Sequence, residues 1–261
     1  GNAASTNTTA LFSTTGSYVL QLTATDGPLS SSSSLTVNSG VLPHPWTSAR
    51  IGTVPGAAGY TLSNGVFNIT AGGVGIQSTG TDDDCLFIYA AMSTDVQLTA
   101  RVVSVQNVSS SSSRAGVMIR EAATRNAREA FMGVTSVSGS RWIWRTATGA
   151  TSGNSAGTVT LPYWVRLVRN LNNFTASIAP NVGNAPGTWS SVGTQTLIMT
   201  NTALVGLSAA SGSATATGNV AMDNVTLSPL PYNIGPFVNA GPDSAVSSTP
   251  TSFIQLAGVA S

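Results

Sequence analysis

The sequence contains no lysine; its ten basic residues are all arginine. Acid is equally scarce. Nine Asp and Glu bring the charged fraction to 7%, against roughly 25% in an ordinary soluble domain. A net charge of +1 offers nothing to hold a polyanion, so nucleic acid and anionic membrane surfaces are excluded as partners. A single cysteine, Cys85, excludes an internal disulfide. It precedes the run LFIY and is expected to be a buried, inert thiol. The single histidine, His44, cannot anchor a histidine-based metal or catalytic constellation. It stands between two prolines and is expected to be a linker residue without a role. No apolar run approaches the roughly 20 residues that cross a bilayer, so no membrane insertion is expected. The opening residues lack the pattern of a secretory leader, and the chain is expected to be mature or excised material.

What is present is a hydrophobic fraction of 41%, enough for a core, with Ser, Thr, Asn and Gly in the place of surface charge. The stretch 114–145 concentrates the features of interest. It carries six arginines, both glutamates and two tryptophans around the apolar runs 115–119, 130–137 and 142–144. Short runs rich in β-branched and aromatic residues, bounded by Gly and polar residues, predict strands. In RWIWR, Trp142 and Trp144 share one face, and Arg141, Ile143 and Arg145 the other.

From Trp46 to Leu227 the same reading predicts strands at 65–70, 85–90, 96–105, 116–120, 130–135, 141–146, 163–170, 174–178, 193–199, 203–209 and 219–226. This is the spacing of a β-sandwich or jelly roll. A helical fragment is expected only over 122–128. The serine run 109–113 is expected to be a flexible loop. Before the sandwich, a strand over Tyr18, Leu20 and Leu22 is followed by an Asp26-Gly27 turn and a second strand at 35–37. Linkers punctuated by Gly and Pro are placed at 39–45 and 229–235.

Ordered motifs then suggest families. GSYVLQLTATDG, followed by Val37, resembles the closing hairpin of PKD-type, immunoglobulin-like repeats. Pro236, Val238, Ala240, Gly241, Asp243, Leu256, Gly258 and Ser261 resemble the opening of the same repeat. Between them IGTVPGAAGYTLSNGVFNITAGG, DVQLTARVVSVQ, AGVMIRE, YWVRLVRNLNNFTASIAP, VGLSAAS and AMDNVTL occur in order. They resemble the concanavalin A-like jelly-roll domain called DUF1349 or regulation of enolase protein 1-like. The chain departs from that pattern at Asp82-Asp83-Asp84-Cys85 and at the serine run. The resemblances imply an all-β chain: a jelly roll at 46–228 flanked by the C-terminal part of one immunoglobulin-like domain at 1–38 and the N-terminal part of another at 236–261.

Candidate sites follow from residue chemistry. Exposed aromatics stack sugar rings and arginines fix hydroxyls, so Arg120, Trp144, Arg145, Tyr163 and Trp189 are the candidate carbohydrate-binding residues. At least one of Trp142 and Trp144 is expected to pack between the sheets. Arg120 and Arg166 lie in otherwise apolar strands, so they are expected either to face outward or to pair with Glu121, Glu129 or Asp223. Asp82, Asp83 and Asp84 offer oxygen ligands to Ca2+, the one cofactor the acidic run admits. The alternative is a polar turn. Asn7, Asn68, Asn107, Asn173 and Asn224 each head an Asn-X-Ser/Thr glycosylation sequon. Glu121 and Glu129 lie eight positions apart, without the closely spaced acidic motif of the jelly-roll glucanases, so no hydrolase chemistry is expected.

The expected function is therefore a non-catalytic structural or adhesive module, extracellular or at the cell surface. It is read as one repeat of a fibre assembled head to tail with neighbouring copies. Tyr18, Leu20 and Leu22 at one end would meet Val238, Phe253, Ile254 and Leu256 at the other. The alternative is a carbohydrate-binding module attached to a secreted polysaccharide-active enzyme.

Overall fold

A computed structural model describes residues 16–39, 46–93, 95–137 and 139–230. By contacts the chain divides into a unit ending at Leu230 and a second unit, 231–261, which lies outside the described residues. The expectations for Asn7, His44, Val238, Phe253, Ile254 and Leu256 fall outside them too.

The first two strands, β1 (Gly16–Asp26) and β2 (Leu29–Ser39), pair antiparallel as a separate two-stranded sheet. Gly27 makes the turn with φ of 57°, a left-handed conformation that glycine adopts without steric cost. Strand β2 begins six residues before the position the sequence suggests, because the five serines at 30–34 carry no apolar signal yet pair with β1 throughout.

Two larger antiparallel sheets face each other. One is built from β3 (Thr47–Ile51), β6 (Cys85–Met92), β8 (Arg114–Arg120), β9 (Glu129–Thr135), β10 (Gly139–Arg145), β11 (Gly153–Thr158) and β16 (Ala203–Ala210), in the order β11-β10-β9-β8-β16-β6-β3. The other contains β4 (Gly59–Ser63), β5 (Val66–Gly73), β7 (Val96–Val105), β12 (Tyr163–Asn170), β13 (Asn173–Val182), β14 (Ala185–Pro186), β15 (Ser190–Thr196) and β17 (Ser213–Pro229). Its order is β14-β13-β12-β7-β17-β5-β4, with β15 also paired to β13.

Alternation along each strand fills the space between the sheets. Val117 and Ile119 of β8, Met132 and Val134 of β9, Leu98 and Val102 of β7, and Val165 and Leu167 of β12 all reach one core. Each such side chain contributes roughly 1.5–3 kcal/mol on leaving water. Trp142 joins this core at 1% exposure, and Ile143 turns to the opposite face, as the alternation of RWIWR requires.

The first sheet is buried on its outer face as well. All seven residues of β8 and all seven of β9 are buried. Segments 74–84 and 121–128 supply Ile76, Asp83, Asp84 and Ala127 to cover that face. There Ile51, Ile76, Cys85, Phe87, Met118, Phe131 and Ile143 form a second apolar cluster. Strands buried on both faces read as nearly continuous apolar runs, and RAGVMIR and EAFMGVT have that character. Gly52 is required by this cover: its φ is 70°, and a Cβ there would overlap Oδ1 of Asp84.

Two local expectations are corrected. Segment 122–128 forms bends and turns rather than a helical fragment, because its carbonyls are taken by arginine side chains instead of helical amides. The serine run is not a loose loop. Ser110–Ser112 make a 3-10 turn, and the buried Ser113 hydroxyl accepts from the amides of Val108 and Ser109 while donating to the carbonyl of Ser211.

Candidate functional site

The arginines that the sequence offers as ligand contacts are interior. Arg120, Glu129 and Arg145 stand directly opposite one another on β8, β9 and β10, making a row of three ionisable side chains across the outer face of the first sheet. All three side chains have 0% exposure, as does that of Asp83, which closes the cluster from the covering segment. Arg145 donates to both oxygens of Asp83, at 2.9 and 3.0 Å, and to the carbonyl of Ala127 at 2.9 Å. Arg120 donates to Glu129 at 3.1 Å and to the carbonyls of Ala122 and Thr124. The Gln77 amide donates to Asp83 at 3.0 Å.

Burial opposes the charge on Asp83, but the Arg145 hydrogen bonds and the two guanidinium charges outweigh it and hold this carboxyl below its ordinary range. Burial, reinforced by the neighbouring Asp83 charge, pushes Glu129 well above the ordinary range of a glutamate. The two acids are thus pushed in opposite directions within one enclosed group. Arg120 and Arg145 are not available to a surface ligand. They hold the covering segment onto the sheet.

The aspartate run is engaged in the same way, Asp82 excepted. Asp83 faces arginine. Asp84 accepts from the Thr53 amide at 2.7 Å and pairs with Arg125 at 3.0 Å. Asp82 is half-buried, on the other side of an extended segment. The three carboxylates do not converge, and among the described residues no group of three or more His, Cys, Asp or Glu is placed to hold a metal ion.

The aromatic candidates are scattered. Trp144 turns toward the core beside Trp142, their rings 5.6 Å apart, and the side-chain-free Gly153 lies across from it. Tyr163 also packs against the core. Trp189 lies on the second sheet, stacked with Arg166 at 4.1 Å from guanidinium to ring centroid. Among the described residues Arg166 has no acidic partner. Trp144, Tyr163 and Trp189 therefore do not form one surface with Arg120 and Arg145. Two further acids among the described residues are engaged: Glu121 with Arg128 at 3.1 Å, and Asp223 with Arg101, whose Nε donates at 2.8 Å. Asn68, Asn107, Asn173 and Asn224 are all exposed.

One concave feature lies elsewhere, where the β4–β5 hairpin, β17 and the residue before β3 meet. It encloses about 400 Å³ and is lined by Trp46, Asn64, Phe67, Asp223, Asn224 and Val225, among others. Sequence reasoning passed over Trp46 because it borders a linker, and a lone aromatic there carries no periodic signal. The Asn64-Gly65 pair was the available sign of a hairpin turn at this place.

No family model matches the chain, and no curated protein does. Solved structures do. A functionally unknown protein from Saccharomyces cerevisiae superposes with a TM-score of 0.53 at 14% identity, covering 73% of this chain and 96% of that one. The fold is a jelly-roll sandwich. Lower superpositions include the Bacteroides ovatus xyloglucan PUL GH43B protein, with a TM-score of 0.49 at 14% identity over 73% of this chain and 38% of that one. A legume lectin-like domain from Entamoeba histolytica gives 0.45 at 11% identity over 71% and 90%. At such identities the likeness concerns architecture alone. The resemblances to DUF1349 and to PKD-type repeats rest on sequence motifs.

Proposed function

We propose that the protein is a non-catalytic adhesive module of an extracellular or cell-surface polypeptide. The observation that carries this reading is the engagement of the carboxylates among the described side chains, that of Asp82 excepted. Asp83, Asp84, Glu121, Glu129 and Asp223 are each committed to arginine, and Asp95 accepts from the Leu171 amide. Glycoside hydrolysis needs two carboxyl groups facing one scissile bond with room for water, and the only cleft described above is lined by a single carboxylate. Incubating the full chain with a panel of plant, algal and bacterial polysaccharides should release no reducing sugar. Turnover abolished by Glu121→Gln or Glu129→Gln would overturn the proposal.

Head-to-tail assembly belongs to the same reading. The β1–β2 hairpin exposes Val19, Leu20 and Leu29, at 68, 38 and 73%. A two-stranded sheet with apolar residues in water is marginal alone, and its edges accept further strands. Affiliation with the PKD-type and DUF1349 families and an extracellular setting are part of the proposal. The exposed sequons at Asn68, Asn107 and Asn173 support that setting. Light scattering and electron microscopy of the chain with and without residues 1–38 provide the test. Concentration-dependent filaments that vanish on truncation are expected, and a monomer at all concentrations would refute assembly. The second reading, carbohydrate binding, is favoured by the cleft at Trp46.

A further inference from the structure

The cleft at Trp46 is built from two departures from regular strand geometry. Asn64 and Gly65 turn the β4–β5 hairpin with φ of 52° and 77°, the paired left-handed conformation of a tight hairpin turn. Across from them, β17 slips its register with β7 between Asp223 and Thr226, and Asn224 adopts φ of 50° in that irregularity. A bulge of this kind redirects side chains out of the ladder. It sets Asp223, Asn224 and Val225 on the wall of the cleft. Trp46 is half-buried, tilted at 52° to Phe67 with their centroids 6.4 Å apart, so its indole both packs on the core and lines the cleft.

The polar lining has a definite character. Arg101 pairs with both oxygens of Asp223, and burial contributes less to the Asp223 carboxyl than that bond, which holds it below its ordinary range. Asn224 Nδ2 donates to Asp223 Oδ1 at 2.9 Å, which orients the amide. Among the described residues the Asn64 side chain and Oδ1 of Asn224 have no hydrogen-bond partner. The lining thus presents one indole, two amides that donate and accept, and a carboxylate already neutralised by Arg101. It contains no lysine or arginine to hold an anion and no nucleophile.

We infer that this cleft binds a neutral hexopyranose, at the end or at a branch of a glycan, with Trp46 stacked on its C–H face. Amides suit vicinal hydroxyls, which also donate and accept. The volume is at the small end of ligand pockets, suited to one or two sugar rings rather than to a long polymer. Arg101 is a positioning residue: it holds Asp223, which orients Asn224. This inference rests on the carbohydrate-binding reading and adds to it a site and a ligand class.

The test uses the full chain produced without glycosylation, because Asn224 heads a sequon and a sugar attached there would fill the cleft. Neutral gluco-, galacto- and manno-oligosaccharides and oligogalacturonates are titrated by calorimetry and tryptophan fluorescence. A neutral series should bind and change the fluorescence, and oligogalacturonates should not compete. Trp46→Ala should weaken binding by roughly tenfold or more, the scale of a lost aromatic contact. Because Trp46 also packs on Phe67, Asn64→Gly and Asn224→Gly supply variants that keep the left-handed backbone. Each should weaken binding by roughly three- to tenfold with unchanged circular dichroism. Neutral-glycan binding that survives all three substitutions would overturn the cleft and leave the carbohydrate reading intact. Binding of oligogalacturonates alone would overturn the ligand class. A wild-type chain that binds no member of the panel would overturn the carbohydrate reading together with the cleft.

Discussion

The guanidinium of Arg145 grips both carboxylate oxygens of Asp83, at 2.9 and 3.0 Å, across 62 positions of sequence. This bidentate pair fastens the segment before β6 onto the face of β10, in full burial. A charged pair taken out of water is stabilising only while both partners remain, because the survivor of a broken pair stays buried without compensation. Asp83→Asn should accordingly cost about 3–5 kcal/mol of unfolding free energy. Glu129→Gln, which mimics the protonated form that burial and Asp83 favour, should cost much less. Urea titration of both variants gives the comparison, and equal losses would show that Glu129 is held as an anion.

The same cluster sets a pH dependence. Glu129 has a folded pKa raised above its ordinary value of 4.5, so its contribution is fully present below that value and is lost as pH rises through the folded one. Wild type should lose stability over that range, and Glu129→Gln should not. The melting temperatures of the two proteins from pH 4 upward, in steps of about one unit, should therefore diverge; parallel curves would refute the assignment.

Asp223 behaves with the opposite sign. The Arg101 bond lowers its folded pKa below the ordinary 3.8, so the stability it contributes is present above 3.8 and is lost as pH falls through the folded value. Asp223→Asn should flatten the acid limb of the stability curve while leaving fluorescence of the core tryptophans in place. An unchanged acid limb would mean that the pair contributes nothing.

Val165 and Leu167 share the inner face of β12, each at 0% exposure, and β12 lies between β7 and β13. Leu167→Ala should cost about 2–5 kcal/mol, the cost of lost burial plus an unfilled cavity. A loss below about 1 kcal/mol in chemical denaturation would show that the core collapses around the gap.

Burial pushes the Cys85 thiol up to about 12. The thiolate is the reactive form, so the native protein at pH 8 should resist a thiol reagent and react stoichiometrically in denaturant. Rapid labelling of the native state would mean that the cover over β6 opens.

At Asp83 and Asp84 the guanidinium groups occupy the place a cation would take. Melting curves with excess Ca2+ and with chelator should coincide. A calcium-dependent rise would place a site on Asp82 and overturn this reading.

Much of the architecture was legible in the residues. The strands Val96–Val105 and Tyr163–Asn170 have the bounds that their apolar text indicates, and RWIWR divides its faces as alternation requires. Period-two patterning is a local property, fixed by backbone geometry, so it can be read without knowing the partner strand. Strands β3, β4, β11 and β14 were not legible. They are short or at sheet edges, where half-exposed Ser, Gly and Thr are held by pairing rather than by their own preference.

The sequence by itself determined an all-β chain, a core-facing tryptophan in RWIWR and a buried thiol, because composition and alternation act residue by residue. Only the tertiary structure decided what the charges do. Arg120, Glu129 and Arg145 lie on three successive strands, and antiparallel register sets them in one row that the residues themselves offered only as one of several pairings. In water such residues would read as a binding surface. The covering segment removes the water, and in that low-dielectric interior the arginines become the partners of Asp83 and Glu129. The same dependence on register and turn geometry set Trp46, Asn64 and Asn224 around one cleft; Asn64-Gly65 marks a turn in the sequence, but no local pattern marks what faces it.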